Sequence, residues 1–351
     1  MTLGSLFDGI GVFPLAAQKN GITPLWASEI SASGISITKR HFPQMHHLGD
    51  ITALHGGTVP PVDIITFGSP CQDLSLSGNR AGLAGRKSNL FFEAIRIIEE
   101  MREATDGIYP TFAVWENVVG ALSSNDRMDF NAVLSAFTDT QIPMPDSGRW
   151  AGAGMVRGHC PDIAWRVLDS RYFGVAQKRR RIFLVADYRG QRAGKVLFEP
   201  ESQHQILPVG TAGRISAAPG TGKSPTAAGW TPCEIHALQN RKLRGAAISK
   251  DRSQFYGGFG YPNDALPTLL TGDSQVIFLH YPDNPEKDHV RFLTPTEYER
   301  LMGLPEGWTE LGHDDKLISD TARYFGLGNS IVVPCAELIM QGIRNILEET
   351  I

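Results

Sequence analysis

The sequence is short of several things that would assign it to a class at once. Among its 351 residues there are only four cysteines (Cys71, Cys160, Cys233 and Cys335), and none stands in a C-x-x-C pair. That excludes a disulfide scaffold and fits a reducing compartment, so a cytoplasmic protein is expected. The ten histidines include the neighbours His46 and His47 but no H-x-x-x-H spacing, and no metal site is expected. No run approaches the roughly 20 apolar residues of a membrane-spanning helix. The opening MTLGSLFDGIGVFPLAAQKNG has neither the basic start nor the apolar core of a secretion signal. Strong charge of either sign is also missing: 33 Lys and Arg stand against 37 Asp and Glu, a formal −4. This excludes a wholly basic coat for nucleic acid but not a local basic cleft, because net charge averages over the surface. There is no internal repeat.

What is present is ordinary globular material, 42% apolar and 20% charged. A chain this long can bury a large core and exceeds the usual size of one domain, so two domains are expected. In the first half, short apolar runs at 3–7, 24–28, 63–67, 112–115 and 182–186 alternate with helix-like segments. Ile64-Ile65-Thr66-Phe67 is almost wholly apolar, which suits a strand buried on both faces of a parallel sheet. Leu90, Ala94, Ile97, Ile98 and Met101 recur at helical spacing, with Ser88 or Asn89 as the cap. Alternating strands and helices predict an α/β domain with a mostly parallel sheet. Composition changes near Tyr188: between 189 and 255 ten Lys and Arg face four acids in a segment rich in Gly, Pro, Ser and Thr. Such a stretch is either a solvated insertion or a loop-built basic face for a polyanion. Order returns after about Arg291, where LTPTEYERLMGLP reads as a helix capped by Thr294 or Thr296.

Four short constellations carry chemistry. Phe7-Asp8-Gly9-Ile10-Gly11 follows the first predicted strand, and its glycines let backbone approach a ligand at a helix N-terminus. Glu29 lies 20 residues after Gly9, at the end of the second strand, the usual place for a carboxylate that binds ribose hydroxyls. Asp50 could accept from an adenine amine while Ile51 packs on the ring. Gly68-Ser69-Pro70-Cys71-Gln72 ends the 63–67 strand, where a cysteine is placed to react rather than to pack, and a long Gly-rich segment carrying Arg80 and Arg86 follows it. Trp115-Glu116-Asn117-Val118 puts an acid at the same sheet edge, giving a nucleophile beside a potential proton donor. Gln177-Lys178-Arg179-Arg180-Arg181 opens the last of these strands. Alternation sends Arg179 and Arg181 to one face, and Arg at a buried strand mouth calls for a ligand or a carboxylate such as Glu116.

In this order (FDGIG, an acid, GDI, GSPCQ, WENV, QKRRR, a basic variable region, RFLTPTEYERLMGLP and GLGNSIVVP), the motifs resemble the cytosine-C5 DNA methyltransferases over nearly the whole chain outside roughly 189–290. Two departures are visible: the usual second glycine of the pair is Val12, and Ile30 stands where an aromatic ring often stacks on adenine. The resemblance implies a Rossmann-like α/β sheet that binds S-adenosylmethionine, formed by 1–188 and completed by 319–351. A smaller, irregular target-recognition domain with its hinge would occupy 189–318. It implies Cys71 as nucleophile, Glu116 as proton donor to the base, Arg181 on the base carbonyl and Arg179 in support. Phe7, Asp8, Gly9, Ile10, Gly11, Glu29, Asp50, Ile51, Pro70, Leu90 and Asn329 would line the cofactor pocket. Gln72, Ser75, Ser77 and Asn117 would face the substrate, a cytosine extracted from duplex DNA. Arg291, Glu297 and Arg300 would organise the second domain rather than react. The expected partners are double-stranded DNA and a cognate restriction endonuclease, the protein itself being a monomer, and the cofactor product is S-adenosylhomocysteine. An RNA cytosine methyltransferase, a nucleotide-binding dehydrogenase and an inactive DNA-binding regulator are the competing readings. The dehydrogenase would have no use for Cys71 with Glu116.

Overall fold

Two apolar layers sandwich one large sheet, and the buried residues of its strands explain why. The computed structural model describes residues 1–69, 90–198, 234–238, 266, 268–269, 271, 275–280 and 284–349. The strands are β1 (Thr2–Leu6), β2 (Thr23–Ser28), β3 (His46–His47), β4 (Ile64–Phe67), β5 (Phe112–Val118), β6 (Ala153–Val156), β7 (Asp162–Asp169) and β8 (Arg180–Asp187). They lie in the order β3-β2-β1-β4-β5-β8-β7-β6. β3, β2, β1, β4 and β5 pair in parallel, whereas β8 runs antiparallel to both β5 and β7, and β6 antiparallel to β7. The mostly parallel sheet expected from sequence is therefore a mixed one. Strands buried on both faces, such as Ile64–Phe67 and the apolar part of β8, carry no signal of direction. A separate antiparallel sheet joins β9 (Glu234–Leu238), β10 (Val276–His280) and β11 (His289–Phe292), with β10 in the middle.

On one face of the large sheet lie α1 (Val12–Lys19), α2 (Ala32–His41) and the last helices, and on the other α3 (Leu90–Ala104) and α4 (Met128–Thr138). Helix α3 buries Phe91, Ala94, Ile95, Ile97, Ile98 and Met101, which puts the predicted period on the core side. Its Ser88 and Asn89 caps lie outside the described residues. A short helix, α5 (Ala193–Phe198), leads out of β8. Helix α6 (Pro295–Met302) starts at Thr294, whose hydroxyl accepts from the Glu297 N–H while the Glu297 carboxylate takes the Thr294 N–H. Helices α7 (Asp320–Asn329) and α8 (Val333–Glu348) follow. α8 buries Val333, Ala336, Ile339, Met340 and Ile343 in one core with Leu3, Phe13 and Ile64. The chain's end thus packs beside its beginning, and Lys19 meets Glu337 at 2.5 Å. Tyr298, Leu301, Met302 and Trp308 belong to that same core. Among the described residues no single helix is long and apolar enough to cross a membrane.

Candidate active site

The strand order places a crevice. From β1 the chain winds outward through β2 to β3, and from β4 it winds the other way to β5, so the β1/β4 boundary is a topological switch point, where ligands bind beyond the carboxyl ends of the strands. The 7–11 loop leaves one side of that boundary and Gly68-Ser69 the other.

The loop after β1 is bent hard. Phe7, Gly9 and Gly11 have φ of 54°, 60° and 81°, and the left-handed region is costly for a residue such as Phe. Around Gly9 a Cβ would meet nothing within 4 Å, which leaves backbone open to a ligand. Several bonds hold the turn. The Asp8 N–H donates to the Ser28 carbonyl (3.2 Å), the Gly9 N–H to Glu29 Oε2 (2.7 Å) and the Trp308 indole N–H to the Ile10 carbonyl (2.8 Å). The other Glu29 oxygen accepts the Ile30 and Ser31 N–H groups, both at 2.8 Å, at the start of α2. Asp50 is exposed, and its Oδ1 takes the Thr52 N–H and hydroxyl at 2.9 Å, which pulls its carboxyl below the usual range. Ile51 is buried in the core, whereas Ile30 is 75% exposed.

Asp8 is the unusual member. Its Oδ1 accepts from the Ser5 hydroxyl at 2.6 Å, but its buried Oδ2 has no hydrogen-bond partner. Burial pushes the carboxyl up to about 7, against the Ser5 bond and with help from Glu29. Open backbone at Gly9, a carboxylate at the end of β2 and this orphaned oxygen fit a nucleoside cofactor with a ribose diol and a cationic tail.

The second half of the site lies at the ends of β5 and β8. Glu116 is buried, and its Oε1 lies 3.1 Å from Arg181 Nε. The antiparallel register pairs Val118 with Arg181 and Glu116 with Phe183, so both charged side chains stand on one face. Burial raises the Glu116 carboxyl above its ordinary value despite the attraction of Arg181 and Arg179. A Cβ on Gly68 would come 3.1 Å from Glu116 Oε2, so the β4 end that leads to Cys71 passes directly by the acid.

A family model described as C-5 cytosine-specific DNA methylase matches residues 1–345. The chain belongs to that family. Among curated relatives, a type II methyltransferase of Bacillus subtilis, M2.BsuMI, is 25% identical over 358 residues, covering 98% of this chain and 75% of its own length. A protein of Escherichia phage P1 named DNA N-6-adenine-methyltransferase is 26% identical over 450 residues; the match covers 94% of this chain but spans only 59% of the phage protein. The crystal structure of the S. pombe Dnmt2 methyltransferase superposes with a TM-score of 0.61 over 100% of this chain and 99% of the other, at 18% identity. That likeness establishes the fold: an α/β methyltransferase sheet.

Within this methylase some predicted residues bond to its own backbone. Arg179 is fully buried, and its guanidinium donates to the carbonyls of Leu269 (3.3 Å), Gly328 (2.9 Å) and Ser330 (2.5 Å). These bonds hold the end of α7 against β8, backbone support of the kind expected of this residue, and burial and Arg181 lower its pKa to about 9. Asn117, expected at the substrate, spends its amide on the Ser69 carbonyl (3.1 Å) and its oxygen on the Val118 N–H (2.8 Å). Trp115 donates to the Ser69 hydroxyl at 3.3 Å, so β5 grips the residue two before Cys71 from both sides. Leu90 opens α3 and Asn329 closes α7, exposed; a Cβ on Gly326 of α7 would come 2.8 Å from Ile10 Cγ2, so α7 lies against the 7–11 loop. Pro70, Cys71, Gln72, Ser75 and Ser77 lie outside the described residues, as does most of 199–265. Arg291 pairs with Glu297 at 2.7 Å and Arg300 with Glu306 at 2.7 Å, contacts within the second half of the chain.

Sequence reasoning missed Trp308, Glu299 and Arg323. Glu299 is wholly buried, accepts the Gly307 and Thr309 N–H groups at 2.7 and 2.8 Å, and meets Arg323 at 3.2 Å. In TEYERL it reads as one more charge on a solvated face, and only its (i, i+3) and (i, i−4) apolar neighbours, Met302 and Pro295, hint that the face is inward.

Proposed function

We propose that the protein transfers a methyl group from S-adenosylmethionine to carbon 5 of a cytosine extracted from duplex DNA. The observation that carries this reading is the buried, protonatable Glu116 beside Arg181, with the β4 end that leads to Cys71 packed against its carboxyl. Carbon 5 of cytosine is a poor nucleophile. Addition of the Cys71 thiolate at carbon 6 breaks the ring's aromaticity and makes carbon 5 enamine-like. Glu116, whose proton affinity burial raises, donates a proton to ring nitrogen 3, where it takes up the electron pair that the thiolate pushes in. Arg181 holds the carbonyl oxygen of the base. After alkylation, loss of the carbon 5 proton to solvent, expulsion of the Cys71 thiolate and return of the nitrogen 3 proton to Glu116 restore the aromatic ring and the acid. The target must leave the helix first, since stacking shields carbon 6.

Bound S-adenosylmethionine supplies the electrophilic methyl. Glu29 would hold its ribose, Asp50 and Ile51 its adenine, and Phe7, Asp8, Gly9, Ile10 and Gly11 its methionine side, with Pro70, Leu90 and Asn329 completing the pocket. Residues 1–188 and 319–351 would form the catalytic domain, and 189–318 the recognition domain and hinge. The family description supports a DNA substrate and the type II names of bacterial relatives a partner restriction endonuclease, and the protein would act as a monomer in the cytoplasm.

The deciding experiment incubates the protein with S-adenosylmethionine and a duplex carrying 5-fluorocytosine. Fluorine cannot leave as a cation, so the covalent adduct accumulates. No adduct, or one that persists in Cys71→Ala, refutes the assignment. A preference for an RNA transcript overturns the substrate, and methylation of adenine, as the phage relative's name would suggest, overturns the reaction.

A further inference from the structure

The segment after α6 is folded around one buried carboxylate, and its product is the placement of Trp308. Glu299 takes the N–H groups of Gly307 and Thr309 at 2.7 and 2.8 Å and the Thr309 hydroxyl at 2.5 Å. Arg323 of α7 joins them, donating to Glu299 at 3.2 Å and to the Thr309 hydroxyl at 3.0 Å. Between these anchors stands Trp308. Its ring lies flat on His41, with centroids 3.6 Å apart and planes 4° from parallel, and meets Phe42 edge-on at 5.9 Å. His41 Nε2 and the Trp308 carbonyl are 2.8 Å apart, which suits donation from the ring. The indole N–H then points at the Ile10 carbonyl, 2.8 Å away.

Ile10 sits in the loop whose Phe7, Gly9 and Gly11 all have positive φ. Such a turn persists only where its surroundings over-determine it. Asp8 and Gly9 are tied to β2 and to Glu29, as above, but the Ile10 end is reached from the far half of the chain, by Trp308 and by Gly326 of α7. We infer that Trp308 is a positioning residue for the cofactor loop: its indole N–H, bonded to the Ile10 carbonyl, sets the 7–11 turn in the shape that receives S-adenosylmethionine. The inference rests on the cofactor assignment proposed above. It adds a residue from the segment before α7 to the cofactor's support, acting through Ile10.

Trp308→Phe removes the N–H and keeps an aromatic ring against His41. Calorimetry should find S-adenosylmethionine bound about 3- to 10-fold more weakly, the usual worth of one hydrogen bond, and the loss should appear in KM for the cofactor rather than in kcat. Phe137→Leu, in the opposite apolar layer, serves as comparator: it should lower Tm and leave cofactor affinity alone. Unchanged affinity in Trp308→Phe overturns the inference, as does a loss that simply follows Tm in both variants. Should Trp308→Phe not fold, Glu299→Gln loosens the segment that delivers the indole and must show the same affinity loss; intact affinity there also overturns it. A wild-type protein that binds no S-adenosylmethionine would sink the cofactor assignment itself, and this inference with it.

Discussion

Asp8→Asn isolates the energetic cost of an ionised carboxylate beneath the cofactor loop. Its folded-state pKa of about 7 stands well above the ordinary 3.8, because one oxygen is buried without a partner and Glu29 is near. The folded protein therefore holds this proton more tightly than the unfolded chain does. The stability that follows is fully present below the unfolded pKa and drains away as pH rises toward 7. Each pH unit in that window is worth about 1.4 kcal/mol. Between about pH 5 and pH 8 the ligand-free wild type should lose at most about 3 kcal/mol through Asp8. The asparagine variant keeps an acceptor for the Ser5 hydroxyl and has nothing to ionise. Whatever constant penalty the new amide brings cancels when two pH values are compared. Urea unfolding of both proteins at each pH is the assay. Wild type should weaken relative to Asp8→Asn as pH rises; parallel profiles would refute the claim that this carboxyl is buried and unpaired.

Two further outcomes follow from the geometry. Glu116→Gln should lower kcat by roughly 10²- to 10⁴-fold, the usual contribution of a positioned proton donor, with DNA affinity retained in gel-shift measurements; the wild-type rate should hold to higher pH than an ordinary carboxylate would allow and then fall as Glu116 ionises. Glu29→Ala removes the acceptor for three backbone N–H groups as well as the ribose ligand proposed above, so S-adenosylmethionine affinity measured by calorimetry should drop by at least about tenfold, on the order of one charge-assisted hydrogen bond.

How much of this could be read from the sequence depends on how local each signal is. The almost wholly apolar β4, the helical period of α3 and a threonine cap at 294 or 296 depend on neighbours in sequence, and each has its counterpart in the structure, the cap being Thr294. β6 and β7 escaped notice: Arg166 interrupts the apolar run, and Gly154 gives way to the Trp165 ring, which would collide with a Cβ at 2.2 Å, a match visible only once the strands pair. The Glu116–Arg181 contact was legible because both belong to motifs at strand ends. The partners of Asn117 and Arg179 were not, since they are the backbone carbonyls of Ser69, Leu269, Gly328 and Ser330, and carbonyls leave no mark on a sequence. Glu299 and Trp308 were illegible for the same reason: what makes them structural is the fold of residues 303–309 around them.

The bond from Trp308 to Ile10 joins positions 298 apart, and Arg179 reaches forward to Ser330. During synthesis the amino-terminal strands and α1 are made long before the helices that cover them. Until α6, α7 and α8 clear the ribosome, that face of the sheet is covered only by α1 and α2, and the rest of it is left to chaperones or provisional contacts. A ribosome that stalls before α8 would release a chain that carries Cys71 and Glu116 but lacks the helix that packs with Leu3 and Phe13 in one core.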